Sequence, residues 1–507
     1  MKVGIDLGTT YSLISHMGPN GFPVLLPDQS VQDVFYTPSI VHINSEFAFV
    51  GQMVETLLQQ QPDLKLINFF KRHLGENKPI YYDDNGQAWY PETVAALMLK
   101  KLRFDAESFT ANEVSEAVIT VPAHFSDPQR KAVLTAAMLA DVSVLGLVEE
   151  PVAAALHAGV INQGKDQILM VYDFGGGTFD ASVISIDANG IYVLSKDGLT
   201  DLGGKELDEK VAEIILFQFE KALGTLPTLN AKTLLELRRT SEEIKVELCM
   251  PGKSQVRKVV LLGGHAVEIY IHAKAFEQAI ADALDKTQAV ALRCLEKSGL
   301  QVDDVDVLLL VGGSSMVPAV QKQMERIFCK PGQKVLFHEP TKAVTYGATL
   351  HAYQISGDAE RYQLPPEFRG VTGYSVGVRT IDPQTGRTKI DPLIKGNMPL
   401  PTSAHKTYYT TRSNQQRMVL DLVQYRDPTE EVVGLGQLVV GPLPSPKINY
   451  PIDVSVEYQT DGTVSVRAFD PQTGVELNQN FGRKEQVELS NLTTQRALVR
   501  ATLINTM

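Results

Sequence analysis

The chain of 507 residues is poor in sulfur and indole: Cys249, Cys294 and Cys329 are its only cysteines and Trp89 its only tryptophan. Three cysteines so far apart fit neither a disulfide framework nor a metal-ligand spacing, so a reducing compartment is expected. Positive charge is short too, with 47 Lys and Arg against 59 Asp and Glu and a net charge of −12. That balance argues against nonspecific binding to nucleic acid. No run approaches the ~18 apolar residues that a membrane helix needs. The N-terminus enters a strand-like segment without a basic-plus-apolar leader, so a cytoplasmic protein is expected. There is no low-complexity tract and no short-period repeat. The length exceeds what one core fills and predicts two to four domains.

What the chain does carry is a strand followed by a glycine turn, YDFGGGTFD at residues 172–180. Gly175, Gly176 and Gly177 leave no Cβ to block a ligand, so backbone N–H groups there can approach phosphate oxygens closely. Thr178 adds a hydroxyl. The flanking Asp173 and Asp180 suit a hydrated Mg²⁺, which prefers one or two carboxylates plus substrate phosphates. One such turn alone is more often a plain hairpin. A shorter copy opens the chain, however, as VGIDLGTTY at residues 3–11, with Asp6, Gly8, Thr9, Thr10 and Tyr11 in the same roles. Two copies far apart suggest two phosphate loops facing one nucleotide.

Residues 1–50 read as a β-meander, 52–74 as an amphipathic segment, and 81–90 as a hairpin. Helices are expected over 91–104, 127–140 and from 151, alternating with strands at 114–121 and 144–148. The theme returns after the triglycine strand, with helices over 205–223, 233–250, 275–298 and 343–355. An apolar strand at 306–313 ends in a third glycine turn, Gly312-Gly313-Ser314. This alternation belongs to an α/β protein. Residues 356–370 change texture and read as a linker. From 371 to about 489 short alternating runs predict an all-β sandwich, and 492–504 a closing helix.

By this point the chain resembles the DnaK-type, seventy-kilodalton heat-shock protein family. The resemblance rests on GIDLGTTYS at 4–12, VPAHFSDPQR at 121–130, EEPVAAA at 149–155, DFGGGTFD at 173–180, LGG at 202–204, VGGSS at 311–315 and YGA at 346–348. After the linker, VTGYSVGV at 371–378 and DGTVSVRAFDPQTG at 461–474 resemble the family's β-sandwich. The resemblance implies an actin-like (ribonuclease H-like) ATPase domain of two lobes over 1–357, a linker over 358–370, and a peptide-binding β-sandwich over 371–490. A short C-terminal helix without the family's lid would occupy 491–507. It implies ATP or ADP with Mg²⁺ as cofactors and extended apolar peptide segments as partners, with a J-domain cochaperone and a nucleotide exchange factor beside them.

Carried over residue by residue, Thr9, Thr10 and Tyr11 form the first phosphate loop. The second is residues 175–178, and Asp6, Asp173 and Asp180 hold Mg²⁺ through water. Lys71 reaches the γ-phosphate and Glu150 positions the attacking water. Phosphoryl transfer needs such positioning and charge stabilisation more than covalent chemistry. Gly203, Gly204, Gly312, Gly313 and Ser314 fall at nucleotide-contacting positions, and Glu242 and Lys245 at ribose-contacting ones. Pro122 and Arg130 sit where the family places its interdomain relay. In the sandwich, Val376, Val378 and Ile381 align with one groove wall. Tyr409, Met418 and Leu420 align with the other wall and the central pocket. Alternating apolar residues in a sandwich are equally what a core requires, and the pattern leaves both readings open.

Three departures stand out. The arginines that stack on adenine fall on Val246 and Met316, and a neighbouring serine on Cys249. Each lost guanidinium removes roughly 0.5–2 kcal/mol, so a nucleotide site weaker by about tenfold to a few hundredfold, and less base-selective, is expected. The acidic, leucine-rich linker is replaced by QLPPEFRG at 363–370, with Gly370 at its aspartate and Leu134 and Gly146 at the basic residues it meets. Standard J-domain docking and linker insertion are therefore in doubt. The altered linker and FFKRHLG at 69–75 resemble a divergent, HscC-like branch. The missing lid predicts fast peptide exchange. Two functions remain in view: an ATP-hydrolysing chaperone, and a nucleotide-binding module that holds one partner without cycling. A sugar or acetate kinase on the same scaffold is disfavoured, since a sandwich has no role there.

Overall fold

A computed structural model describes residues 1–44, 47–61, 64–161, 166–187, 190–328, 333–336, 339–362, 364, 367–381, 387–426, 432–443, 447–476 and 489–505. Cys329, the linker residues Gln363, Pro365 and Pro366, and the side chain of Ile381 lie outside the described residues. It is a mixed α/β structure followed by β-sheets.

The first glycine turn joins strands Lys2–Asp6 and Tyr11–Met17, which pair antiparallel; Pro23–Leu25 extends that edge. On its other edge Lys2–Asp6 pairs in parallel with Glu116–Val121, and that strand with Val144–Glu149. The meander expected over 1–50 is thus only half of a mixed sheet. The second unit repeats the order. Gln167–Phe174, Phe179–Ile186 and Gly190–Leu199 run antiparallel, and Val307–Val311 and Lys334–Leu336 join in parallel.

Between the two sheets lie the helices Glu150–Ile161 and Ala343–Tyr353, whose alanines and glycines make a shared core with Val118, Val148, Val171 and Leu309. Their backbones nearly touch: a Cβ on Gly347 would stand 1.7 Å from the Ala153 carbonyl oxygen. The small residues of EEPVAAA and YGA are therefore steric requirements of this crossing.

Several element boundaries moved. The amphipathic segment at 52–74 is helical only over Gln52–Gln60, because Pro62 disfavours a helical residue before it. Phe69 then takes a left-handed conformation, φ 54°, and starts the 3₁₀ turn Phe70–His73. The helix expected over 275–298 is two, Ala273–Ala279 and Ala281–Ser298, broken at buried Ile280.

The sandwich has two four-stranded sheets. Ser375–Ile381, Thr388–Ile394, Met418–Tyr425 and Val432–Val440 form one, and Thr402–Tyr409, Pro451–Tyr458, Val464–Asp470 and Val475–Glu476 the other. It is docked on the α/β part. Asp127 donates its N–H to Gln424 Oε1 at 2.9 Å and accepts from the Val464 N–H at 2.7 Å, and the Tyr374 hydroxyl donates to the His124 carbonyl at 2.7 Å.

Two findings overturn the expectations for the connecting segments. The linker is inserted: Glu367–Arg369 pairs in parallel with Gly190–Tyr192 at the sheet edge. The closing helix, Leu489–Ala501, stops before 504, and Leu503–Asn505 becomes a strand parallel to 47–49. Lys100 ties this end down, donating to the carbonyls of Val499 and Thr502 at 2.8 Å each. Arg496 and Arg500 both bind the Asp141 carboxylate.

Candidate functional site

The two glycine turns meet at the mouth of a cavity of about 440 Å³ between the α/β units. Their contact is close. A Cβ on Gly176 would stand 2.0 Å from Thr10 Oγ1, and one on Gly177 2.5 Å from Thr9 Cγ2. Two further glycine segments support the second turn from behind. The N–H groups of Gly204 and Lys205 donate to the carbonyls of Gly175 and Gly176, both at 3.0 Å, and Ser314 Oγ donates to the Gly175 carbonyl at 2.8 Å. A Cβ on Gly203 would lie 2.5 Å from the Gly177 nitrogen, so this position also needs glycine.

At the cavity floor Lys71, almost fully buried on its 3₁₀ turn, donates to Glu150 Oε1 at 2.6 Å. Glu150 opens its helix directly after the strand Val144–Glu149, which places its carboxylate at the sheet's carboxyl end. Asp6 ends the first strand of its sheet, where Thr120 donates to it at 2.8 Å, and Asp173 stands at the matching place in the other unit. Burial pushes all three carboxyls up. Glu150 reaches about 7, with Lys71 opposing and Asp6 adding to the shift. Asp173 is raised well above the usual range by burial, then by Glu150, Asp180 and Asp6, and Asp6 rises chiefly through burial. So many acids around one buried lysine form a site short of positive charge.

Asp180 sits one layer back, its carboxylate hydrogen-bonded to His124 Nδ1 at 2.9 Å. The cavity wall thus brings together Asp6, Gly8, Thr9, Thr10, Tyr11, Lys71, Glu150, Asp173, the 175–178 turn, Glu242 and the 312–314 turn. Glu242 accepts the Tyr11 hydroxyl at 3.2 Å across the mouth. Lys245, Val246, Cys249 and Met316 are not among the wall residues. Lys245 pairs with Asp208 at 2.8 Å, while Val246 and Met316 are 50% and 45% exposed. Cys249 is half-buried with its thiol pushed up to about 11 by burial. Among the described residues no three His, Cys, Asp or Glu side chains are placed to ligate a metal directly.

Arg72 was missed from sequence. It crosses the cleft to the Gly177 carbonyl at 2.7 Å and forks onto Glu206 at 2.9 and 3.0 Å. Its position beside Lys71 was the available signal. Phe35 and Tyr36 also line the mouth, Tyr36 meeting the Tyr11 ring edge-on at 5.0 Å.

In the sandwich, Val376, Val378, Met418 and Leu420 are buried in the common core with Ile452 and Val454, and only Tyr409, 57% exposed, faces solvent. The structure brings the four together as packed interior.

Comparison with known proteins agrees with this architecture. Residues 2–502 match the Hsp70 family, described as Hsp70 protein. The chain is 31% identical over 487 residues to the chaperone protein DnaK of Thermosipho melanesiensis, covering 94% of this chain and 79% of that protein. The DnaK proteins of Thermotoga neapolitana and Thermotoga maritima match to the same extent, 31% over 487 residues with the same coverage. The chain belongs to the Hsp70 family.

Proposed function

We propose that this protein is an ATP-dependent molecular chaperone that hydrolyses ATP in the cleft between two actin-like lobes and binds unfolded, extended peptide segments in its β-sandwich. Residues 1–357 form the ATPase domain, 358–370 the linker, 371–490 the sandwich, and 491–507 a short C-terminal segment. The observation that carries the reading is the pair of glycine turns in contact over the Lys71–Glu150 ion pair.

The residues fit Mg²⁺. Asp6, Asp173 and Glu150 are buried acids whose mutual repulsion a divalent cation relieves, and Asp6, Asp173 and Asp180 would hold it through water. Bound there, Mg²⁺ would neutralise phosphate charge. The protein's own groups do the remaining work. The N–H groups of the 8–11 and 175–178 turns cradle phosphates. Lys71 stabilises charge at the transferred group, and Glu150, with its carboxyl raised toward neutrality, orients a water and takes its proton. Arg72 holds the second turn against the helix Gly204–Leu223, fixing the geometry of the cradle. J-domain and exchange-factor partners follow from family membership, and Gly146 and Leu134 predict a dedicated rather than a generic J-protein.

The test is single-turnover ATP hydrolysis with and without an extended apolar peptide, beside Lys71→Ala. Slow turnover accelerated by peptide is expected, with a loss of roughly 10²–10³ in Lys71→Ala. Hydrolysis no faster in the wild type than in Lys71→Ala would favour a non-cycling binding module and overturn the ATPase reading.

A further inference from the structure

A second cavity, about 260 Å³, lies at the junction of the ATPase domain and the sandwich and backs onto the nucleotide site through His124, which lines it and meets Asp180 at 2.9 Å. It has room for roughly eight or nine waters at ~30 Å³ each. Its walls come from both bodies: Lys196, Asp197 and Lys297 on one side, and Ser375, Lys395 and Arg426 on the other.

The charge there runs against the rest of the chain. Lining the cavity are four cations, Lys196, Lys297, Lys395 and Arg426, against one carboxylate, Asp197, in a protein of net charge −12. That carboxylate is already occupied, bound by Arg293 at 2.6 Å and Lys297 at 2.8 Å. Lys196 is buried and pairs with Glu149 at 2.5 Å, but Glu149 is shared with Arg130 at 2.7 Å. Extending the count to the partners adds Arg130 and Arg293 against Glu149 and, behind His124, Asp180, so six cations face three carboxylates. Arg426 uses one amino group on the Gly198 carbonyl at 2.9 Å, with Asp197 at 4.0 Å from the same group, and packs over the Tyr374 ring. Among the described residues Lys395 has no ion-pair partner. Ser375 Oγ accepts from the Gly396 N–H at 3.0 Å, which leaves its own proton to donate.

Lysine, arginine and hydroxyl donors converging on a small chamber are what a phosphate-class dianion requires. We propose that this chamber binds a phosphate-class anion and that the bound anion holds the sandwich against the ATPase domain. Because the donors belong to both bodies, the site is whole only when they are docked. An anion that binds the docked form alone stabilises it in proportion to its occupancy. The proposal rests on the docked arrangement and not on the assignment of the nucleotide cleft.

Orthophosphate is the probe, titrated into the full-length, nucleotide-free chain with ionic strength held constant by sodium chloride. One readout is calorimetric binding and the other is proteolysis within 358–370, the segment joining the two bodies, whose 367–369 strand pairs with 190–192. Phosphate at about 20 mM should slow linker cleavage at least about fivefold. Lys395→Glu, at an exposed position, should abolish the linker protection and the junction's share of the calorimetric signal while its thermal melt without phosphate stays unchanged. Arg426→Gln should weaken phosphate binding about tenfold, and Lys71→Ala should leave it intact. No binding to the wild type would overturn the proposal. Equal responses of the wild type and Lys395→Glu would also overturn it, and loss of the response in Lys71→Ala alone would place the phosphate in the nucleotide cleft instead.

Discussion

Arg130 offers the sharpest measure of what holds the sandwich in place. Its side chain is buried, with Nε donating to the Phe125 carbonyl at 3.1 Å and one amino group bound to Glu149 at 2.7 Å. Only the other amino group crosses to the sandwich, donating to the Asp461 carbonyl at 2.9 Å. In Arg130→Ala, Glu149 keeps Lys196 at 2.5 Å, so no buried acid is left without a cation. The loss on docking is therefore close to that one charge-assisted bond, about 1.5–3 kcal/mol. That corresponds to a docking constant reduced roughly 10- to 150-fold. A fluorescent pair across the two bodies, read with ATP present, gives the docked fraction, and single-turnover hydrolysis with peptide gives the coupling. Lys65→Ala is the control: its Nζ pairs only with the exposed Asp84, at 3.4 Å, so its effect should stay under about 1 kcal/mol. A natively folded Arg130→Ala whose docked fraction stays within a factor of about two of wild type would refute this account.

Two further outcomes follow from the same geometry. Val246 and Met316 lie exposed outside the cavity wall, so ADP should bind weakly and with little preference over GDP by calorimetry; Val246→Arg with Met316→Arg should raise ADP affinity about tenfold or more, and tight, adenine-selective wild-type binding would contradict this. In the first α/β unit Lys101 is wholly buried between Asp28, at 2.9 Å, and Asp105. Burial pushes the Asp105 carboxyl up to about 7 against the pull of Lys101. A raised folded-state value means stability that is full below about pH 4 and lost as pH rises through about 7. Between about pH 5 and 8.5 urea titrations should show the wild type losing on the order of 2–3 kcal/mol more than Asp105→Asn; an identical pH dependence in both proteins would rule out Asp105 as a source.

The sequence made the nucleotide cleft legible because its chemistry is local. A run of three glycines after an apolar strand, or an aspartate at a strand end, declares its backbone conformation and ligand class within a few residues. Lys71 and Glu150 could be paired only through family resemblance, and the structure places them 2.6 Å apart. Arg72 escaped because its partners, Gly177 and Glu206, are more than a hundred positions away, and nothing in FFKRHLG says which basic residue turns toward them. The sandwich positions carry an ambiguous pattern instead. Val376, Val378, Met418 and Leu420 carry the same alternation whether they line a groove or fill a core, and the partition is decided by the facing sheet through Ile452, Val454 and Val456.

The linker was misjudged on different grounds. Side-chain divergence at 363–370 argued against insertion, yet Glu367–Arg369 pairs with Gly190–Tyr192, and Leu503–Asn505 pairs likewise with 47–49. Strand addition at a sheet edge is made by backbone N–H and C=O groups, which any residue except proline supplies in full. An unpaired edge is itself a demand for a partner, so side chains tune such an insertion more than they permit or forbid it. If that is right, changing 367–369 to three alanines should leave linker protection against protease within about threefold of wild type, since the ladder is retained. Protection lost as completely as in a chain with a proline inside 367–369 would mean that side-chain contacts, and not the backbone ladder, hold the linker in place.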